Sequence, residues 1–442
     1  KKIFFNDTAT TEIYTTSQSS AASDVYKRQV TTFLNPEPLA AFIDFFLLGE
    51  AEANLNEFID HLLDQKSPNL AKSEIVKNLA INMTTLYVPS LYEPAYHKDG
   101  TLKSFLPKVS KVPEKIKVAC SATGGCSDQK VPLSTITTPD TEFGNKILIE
   151  LGRGCGRSCR FCAAGYVYRP PRVHPESDLL TVTEKTLKQC KQVGLLSAAV
   201  SDIPGIENLS SLILKNGGRF SVSSLRADSL SQGLLEHLKE AGQKTVAIAP
   251  EAGSERLRRV INKHLTRKQI TEAVNLISKI SDFTLRLYFL IGLPTETRND
   301  ISEIVDLVKV IKHNMIKVSA PRGRIGQIKL SVNCFVPKPS TPFQWFALEQ
   351  ASSLKEKQKW LKKTLAKEGG VKVNSDLPKW AYVQTLLAMG DRRVASILLM
   401  SHDLDGDWTK ALRFSDINPD FFVYRPKGLD EVLPWDFIDH GI

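Results

Sequence analysis

Three cysteines, Cys155, Cys159 and Cys162, fall in the text Gly152-Arg-Gly-Cys-Gly-Arg-Ser-Cys-Arg-Phe-Cys162 with the spacing C-x3-C-x2-C. Thiolates this close in sequence can converge on one small inorganic object, and Gly152, Gly154 and Gly156 let the backbone curl around it. The number of ligands carries the chemistry. A structural zinc ion takes four protein ligands, whereas a 4Fe-4S cube held by three thiolates leaves one iron free to bind something else. His174 could complete a zinc set, although zinc ligands generally come as two close pairs rather than one close triplet. Chance gathering of core cysteines fits poorly with a loop so glycine-rich and polar. Cys120 and Cys126 read as loop thiols, and Cys190 and Cys334 as core residues on a helix and a strand. No phosphate-cradling Gly-x-x-x-x-Gly-Lys loop, Gly-x-Ser-x-Gly elbow or His-Glu-x-x-His pair occurs, which sets aside nucleotide hydrolysis, α/β-hydrolase chemistry and zincin proteolysis.

The elements that must hold the cysteine loop follow from periodicity. Strands are expected at 146–151, 195–201, 219–225, 244–249, 284–291 and 327–335, separated by helical runs at 182–193, 232–240, 267–280 and 300–312. Strands alternating with helices mean parallel, right-handed connections. An α/β fold with a partial (β/α)6 barrel of the TIM type over 141–345 is the simplest solution, and a doubly wound open sheet is the alternative. Residues 30–66 read as the remnant of a Rossmann-like α/β domain: a strand-like start, a turn at Asn35-Pro36, a short helix, a strand at 45–48 and a helix opened by Gly49-Glu50. Residues 67–140 are punctuated by prolines and read as an extended linker. Residues 346–442 read as a mainly helical extension, with helices at 352–367 and 380–401. Residues 1–29, rich in Thr and Ser, form a non-native or disordered leader resembling a translated sequencing-adapter remnant.

With 442 residues, 42% hydrophobic and 24% charged, the chain can bury a sizeable core. The longest apolar stretch, 40–48, is broken by Asp44 and falls far short of the roughly 18 residues of a membrane span, so no membrane partner is expected. Seven cysteines without a disulfide-scaffold pattern point to a reducing compartment, the cytoplasm. The formal charge of +10 is spread along the chain and permits an anionic partner without indicating nucleic acid.

C-x3-C-x2-C after the first strand of a parallel α/β array, with Phe161 just before the last cysteine, resembles the radical S-adenosylmethionine (radical SAM) superfamily. The resemblance implies that Cys155, Cys159 and Cys162 ligate a 4Fe-4S cluster and that S-adenosyl-L-methionine chelates the free iron. An external electron donor would reduce the cluster, and the 5'-deoxyadenosyl radical so released would take hydrogen from a substrate the sequence does not name. Gly292-Leu293-Pro294-Thr295-Glu296 matches the segment after the fifth strand that lies beside the adenine, which makes Gly292, Leu293 and Glu296 candidate cofactor contacts. Arg226 after the third strand and Glu251 after the fourth are candidates for the methionyl or ribose groups. Ser201 closes the second strand where the family commonly has Gly-Gly-Glu, which is absent here. Each has a plainer alternative: Glu251 paired with an arginine, Glu296 as an early helix residue, Ser254 as a helix cap.

The segments Asn35-Pro36-Glu37-Pro38-Leu39 and Gly49-Glu50-Ala51-Glu52 resemble the last strand and exit helix of the cobalamin-binding domain that precedes the radical domain in many members. With 160–170, 335–343 and Leu433-Pro434-Trp435-Asp436, they resemble an uncharacterised group of that architecture. The resemblance implies cobalamin as a further cofactor and methylation or rearrangement as the reaction. The usual Asp-x-His-x-x-Gly is not in the chain, so whether it holds cobalamin stays open. Two rivals remain. One is a methylthiotransferase on tRNA or a ribosomal protein; the other is a zinc- or cluster-stabilised nucleic-acid-binding module using Lys355, Lys359, Lys362, Lys363 and Lys367 beside Trp360.

Overall fold

Residues Thr284–Ile291 alternate along their length between half-exposed and buried positions, the period-2 signature of a strand with one face packed. Ile328–Cys334 repeats that alternation. Leu285, Leu287, Phe289 and Ile291 join Leu330 and Val332 in the main core, together with Ile270, Val274, Ile304 and Val308 from the covering helices. The other face of each strand therefore lines the inside of the barrel.

The structure is a computed structural model that describes residues 32–65, 70–121, 131–134, 136–140 and 143–441. The leader 1–29 and Cys126 lie outside the described residues. The barrel strands are β1 (Ile147–Glu150), β2 (Gln192–Leu196), β3 (Arg219–Val222), β4 (Thr245–Glu251), β5 (Thr284–Ile291), β6 (Ile328–Cys334) and β7 (Val371–Ser375). They form two all-parallel sheets, β1-β2-β3 and β4-β5-β6-β7. A bridge between Leu225 and Ile248 joins the sheets at the β3-β4 seam. The expected α/β partial barrel is present, with the strand order following the chain.

Side-chain caps set the register of the covering helices. Thr266 and Gln269 make a capping box at Arg267–Ile280, Thr297 and Asp300 make another at Arg298–Ser319, and Ser231 caps Gln232–Glu240. Each such cap stabilises by about 1 kcal/mol.

Several expectations are corrected. The second strand is Gln192–Leu196 rather than 195–201, and the preceding helix is Glu176–Gln189 rather than 182–193. Glu176 and Asp178 start that helix, where acidic groups favour the N-terminus. Cys190 lies just past its end, half-buried, not on the helix. The sheet continues past 345 into β7, so the C-terminal part is not all helical. Thr32–Leu34 is a helical turn rather than a strand.

Residues 67–140 are no bare connection. They hold the helix Lys72–Asn82, the hairpin Tyr92–Tyr96/Leu102–Pro107, and Ile116–Lys117, which pairs in parallel with Ile438–Asp439. These segments build a second core of Phe46, Leu79, Tyr87, Tyr92, Trp435 and Phe437. Glu37 and Arg392, 2.9 Å apart, tie residues at opposite ends of the chain beside the Tyr87 hydroxyl. Of the prolines that suggested a linker, Pro89 opens a turn and Pro107 ends a strand, while Pro94 sits within the hairpin strand Tyr92–Tyr96.

Candidate active site

β1 ends at Glu150, and the chain then makes a two-residue ribbon in which Gly152–Arg153 runs antiparallel to Arg172–Val173. Residues 154–171, with all three cysteines, form a loop closed at its base by that ribbon. Gly154 has φ +80°, and a Cβ there would lie 2.2 Å from the Tyr168 carbonyl oxygen. At Gly152 a Cβ would lie 2.5 Å from the Arg172 carbonyl oxygen. Both glycines are thus imposed by the closure.

Within the loop the Cys162 N–H donates to the Cys159 carbonyl at 3.0 Å. The Ser158 carbonyl accepts from Asn262 Nδ2 (2.8 Å) and the Tyr166 hydroxyl (2.9 Å). Arg160 donates its backbone N–H to Ile261 and its Nη1 to the Val260 carbonyl, 3.0 and 2.6 Å away. The loop therefore rests on the segment that follows β4.

A carboxylate pins both legs. Glu50, at the start of the helix Ala51–Asp64, takes Arg172 from the exit leg and Arg153 (3.3 Å) from the entry leg. It also accepts the Ser121 N–H at 3.0 Å and the Ser121 hydroxyl at 2.5 Å. Arg153 reaches Glu52 and Glu150 as well, each at 2.5 Å. Burial pushes the Glu50 carboxyl up, but Arg172, Ser121 and Arg153 outweigh it and hold it down to about 2. Gly49 makes this approach possible: its φ is +108°, and a Cβ would collide with Ala119 O at 2.1 Å.

The expected contacts gather in two clusters at the C-terminal ends of the strands. Phe161 packs on Ala252, Leu257, Ile261, Leu293, Phe335 and Phe343, a small apolar lid joining the loops after β1, β4, β5 and β6. On the other side Ser201 Oγ accepts the Arg226 N–H at 3.1 Å and the Ser229 hydroxyl at 2.9 Å. Arg226 forks onto Asp228 at 3.0 and 2.9 Å, and Arg157, between the first two cysteines, forks onto Asp202 at 2.9 and 3.0 Å. Glu251, at φ +67°, pairs with Lys263 at 3.2 Å, a lysine rather than the arginine allowed for.

Gly292 has φ +78° in the turn after β5, and the Glu296 carboxylate folds back to accept its N–H at 3.0 Å. That carboxylate also pairs with Lys357 at 2.5 Å, so Glu296 holds the turn and the helix Ala351–Leu365 together. Ser254 caps Glu255–Val260, as its plainer alternative had it. Arg157, Asp228, Lys263 and Lys357 were missed; Arg157 alone had a signal, its place inside the cysteine motif. Lys355, Lys359, Lys362 and Lys363 are on the exposed side of the helix Ala351–Leu365, opposite Leu354, Leu361 and Leu365, and Lys367 is exposed just past its end rather than on it.

Burial pushes the Cys159 thiol up to about 11; Lys263 and Arg226 pull against it, while Cys162 and Glu251 add to it. These five side chains share one neighbourhood. Cys159 is buried, Cys155 and Cys162 are half-buried, and all three are free thiols. No three His, Cys, Asp or Glu side chains among the described residues gather around a single ion, so His174 does not close a zinc site with the cysteines. His174 instead sits at the base of the loop near Glu150 and Arg153. A cube spreads its thiolates over three separate irons. Three free thiols on a glycine-closed loop suit that donor set.

Comparison with known proteins agrees. Residues 149–308 match the radical SAM superfamily, and residues 28–89 match a family described as radical SAM proteins, N-terminal. An uncharacterised protein of Methanocaldococcus jannaschii is 33% identical over 364 residues, 82% of this chain and 70% of that protein. The chain belongs to the radical SAM superfamily. The cofactors of radical SAM enzymes are a 4Fe-4S cluster and S-adenosylmethionine. A tRNA-2-methylthio-N(6)-dimethylallyladenosine synthase of Pseudothermotoga lettingae is 28% identical over 208 residues, 43% of this chain, which spans about half (47%) of that protein. The radical S-adenosylmethionine methyltransferase TsrM of Kitasatospora setae aligns with a TM-score of 0.44 and 13% identity over 71% of this chain and 57% of that one. Among the described residues no helix of this radical SAM protein is long and apolar enough to cross a membrane.

Proposed function

We infer that this radical SAM enzyme binds its cluster through Cys155, Cys159 and Cys162 and cleaves S-adenosylmethionine reductively, in the cobalamin-dependent class, to methylate or rearrange a substrate carbon. The observation that carries the reading is the loop 154–171, three free thiols closed by Gly152 and Gly154 at the C-terminal mouth of a parallel barrel. When bound, the cluster and S-adenosylmethionine supply one electron and a carbon radical. The chain's own part is to bind, orient and exclude water. Ser201, Arg226 and Glu251 present hydroxyl and charge on the polar side of the mouth, and Phe161 and Leu293 present an apolar surface on the other. Gly292 offers backbone beside that apolar surface, held in its turn by Glu296.

The cobalamin part is supported by the resemblance of Asn35–Leu39 and Gly49–Glu52 to the exit of a cobalamin-binding domain, and by the helix Ala51–Asp64 that starts there. Methylthio transfer to tRNA is the second reading, supported by the likeness to the methylthio synthase. The experiment is anaerobic reconstitution with iron and sulfide, with and without hydroxocobalamin, followed by dithionite and S-adenosylmethionine. The expected result is 5'-deoxyadenosine together with retained cobalamin. A cluster without 5'-deoxyadenosine under any substrate set would sink the radical reading; 5'-deoxyadenosine without cobalamin retention would sink its cobalamin part and favour the second.

A further inference from the structure

The register of the last three strands sets Arg286 on β5 opposite Lys329 on β6, and Lys329 opposite Lys372 on β7. Neighbouring strands are about 4.8 Å apart, so three cations stand in one rung. Arg286 and Lys329 alternate with the core residues Leu285 and Leu287, Ile328 and Leu330, and so face the inside of the barrel. Lys372, between the partly buried Val371 and Val373, stands on the same face but is exposed, at the open edge of the sheet. None makes a side-chain hydrogen bond or ion pair with a described residue. Like charges directly opposite each other on a sheet are destabilising. The lumenal carboxylates Glu150 and Glu251, by contrast, are balanced, by Arg153 and Lys263.

The next rung toward the mouth, Tyr288, Ser331 and Asn374, is neutral and hydrogen-bonding, and the one above it is Leu290 and Asn333. These polar side chains also have no partner among the described residues. Lys146, just before β1, adds a further positive group on the opposite wall, where it donates to Ser221 Oγ at 3.0 Å. A wall of unpartnered donors, cationic at its foot and neutral above, is built for an oxyanion.

We propose that Arg286, Lys329 and Lys372 bind an anionic group, a phosphoryl or carboxylate, of the substrate. From Arg286 to Leu290 the strand rises about 13 Å at roughly 3.3 Å per residue. The substrate is then long enough to seat its anion at the cationic rung while its reacting carbon reaches the mouth beneath the cysteine loop. This assignment rests on the radical reading for the position of the reacting carbon, but the anion site itself does not need the cluster.

The test is thermal unfolding of the full chain in increasing inorganic phosphate, and in a parallel arm citrate, with sodium chloride keeping ionic strength constant. A bound anion raises the midpoint by mass action. The expected result is a rise with at least one anion. Phosphate alone assigns a phosphoryl group, and citrate alone a carboxylate. In Arg286→Gln/Lys329→Gln the rise falls at least about fivefold, while the anion-free midpoint is no lower than the parent's because repulsion is relieved. Lys362→Gln/Lys363→Gln, on an exposed helix face, keeps the full rise. Should the double variant misfold by circular dichroism, Lys372→Gln on the edge strand carries the test, with at least a twofold loss expected. No rise in either arm, or a rise kept by the rung variants, overturns the proposal. Failure of 5'-deoxyadenosine formation with the rise intact counts against the radical reading and leaves the anion site standing.

Discussion

The two walls of the barrel treat positive charge in opposite ways. Around the cysteine loop Arg153, Arg157, Arg172 and Arg226 each meet at least one carboxylate, Arg157 two and Arg153 three. Along β5, β6 and β7 the cations Arg286, Lys329 and Lys372 meet none among the described residues. A paired, half-buried arginine fixes a geometry, because breaking either partner leaves a desolvated charge behind. An unpaired cation in a lumen fixes nothing and costs a little stability, which a ligand of opposite charge would return. The first wall is therefore scaffolding for a cofactor loop, and the second is recognition surface.

The largest effect expected from breaking the scaffolding wall is at its centre. Cys159→Ala removes the buried thiol and should leave a protein that melts near the parent's midpoint yet shows no 4Fe-4S absorption and forms no 5'-deoxyadenosine after reconstitution. A retained cluster with unaltered absorption would remove Cys159 from the ligand set. Next comes Glu50→Gln, which keeps the shape of the clamp and removes the charge that Arg153 and Arg172 share. Loss of an outer partner of metal ligands typically costs 10–100-fold, so iron should leave to a chelator about tenfold faster than from the parent. Glu37→Gln, at the distant Arg392 clasp, should leave that rate unchanged.

How much of this was legible in sequence follows from what each feature depends on. β5 and the helices Gln232–Glu240 and Arg267–Ile280 were read at their observed bounds, because alternation and Ser or Thr caps are local signals. The cysteine loop was legible for the same reason. β2 was placed three residues late at its start and five at its end because Val193–Leu196 is buried throughout and Leu195–Ser201 looks just as apolar in the text. β7 was missed because Val371–Ser375 exposes alternate residues at the sheet edge and follows a Gly-Gly turn. The Glu50 clamp was invisible, since its partners lie 71 to 122 residues away. The cationic rung needed the register of three strands. No spacing in the chain announces that Arg286, Lys329 and Lys372 are neighbours.

Acid separates the walls further. The carboxyls of Glu50 and Asp300 are each held down to about 2, from ordinary values of 4.5 and 3.8, because hydrogen-bonding arginines and hydroxyls outweigh their burial. A depressed carboxyl contributes stability that is fully present above its unfolded value and is lost as pH falls toward its folded one. The parent's unfolding free energy should therefore decline from about pH 4.5 toward pH 2, and Glu50→Gln should flatten part of that decline. Lys329→Gln should leave its slope alone. A Glu50→Gln profile parallel to the parent's would mean that the clamp does not form in solution.

The smallest effect tests whether pairing alone makes scaffolding. Arg157 is 40% exposed, and its partners Asp202 and Asp228 lie at 2.9 and 3.3 Å. Solvent screens such a pair, so Arg157→Ala should lower stability by less than about 1 kcal/mol in chemical denaturation. The chelator-driven loss of iron should change by less than it does in Glu50→Gln, because Arg157 tethers the loop through a partly exposed pair to Asp202 and Asp228, whereas the clamp holds both legs at the base. If instead Arg157→Ala sheds iron as fast as Glu50→Gln, the tether to Asp202 and Asp228 and not the clamp holds the cysteines in place. The N-terminal lobe would then be a neighbour of the cofactor loop rather than its support.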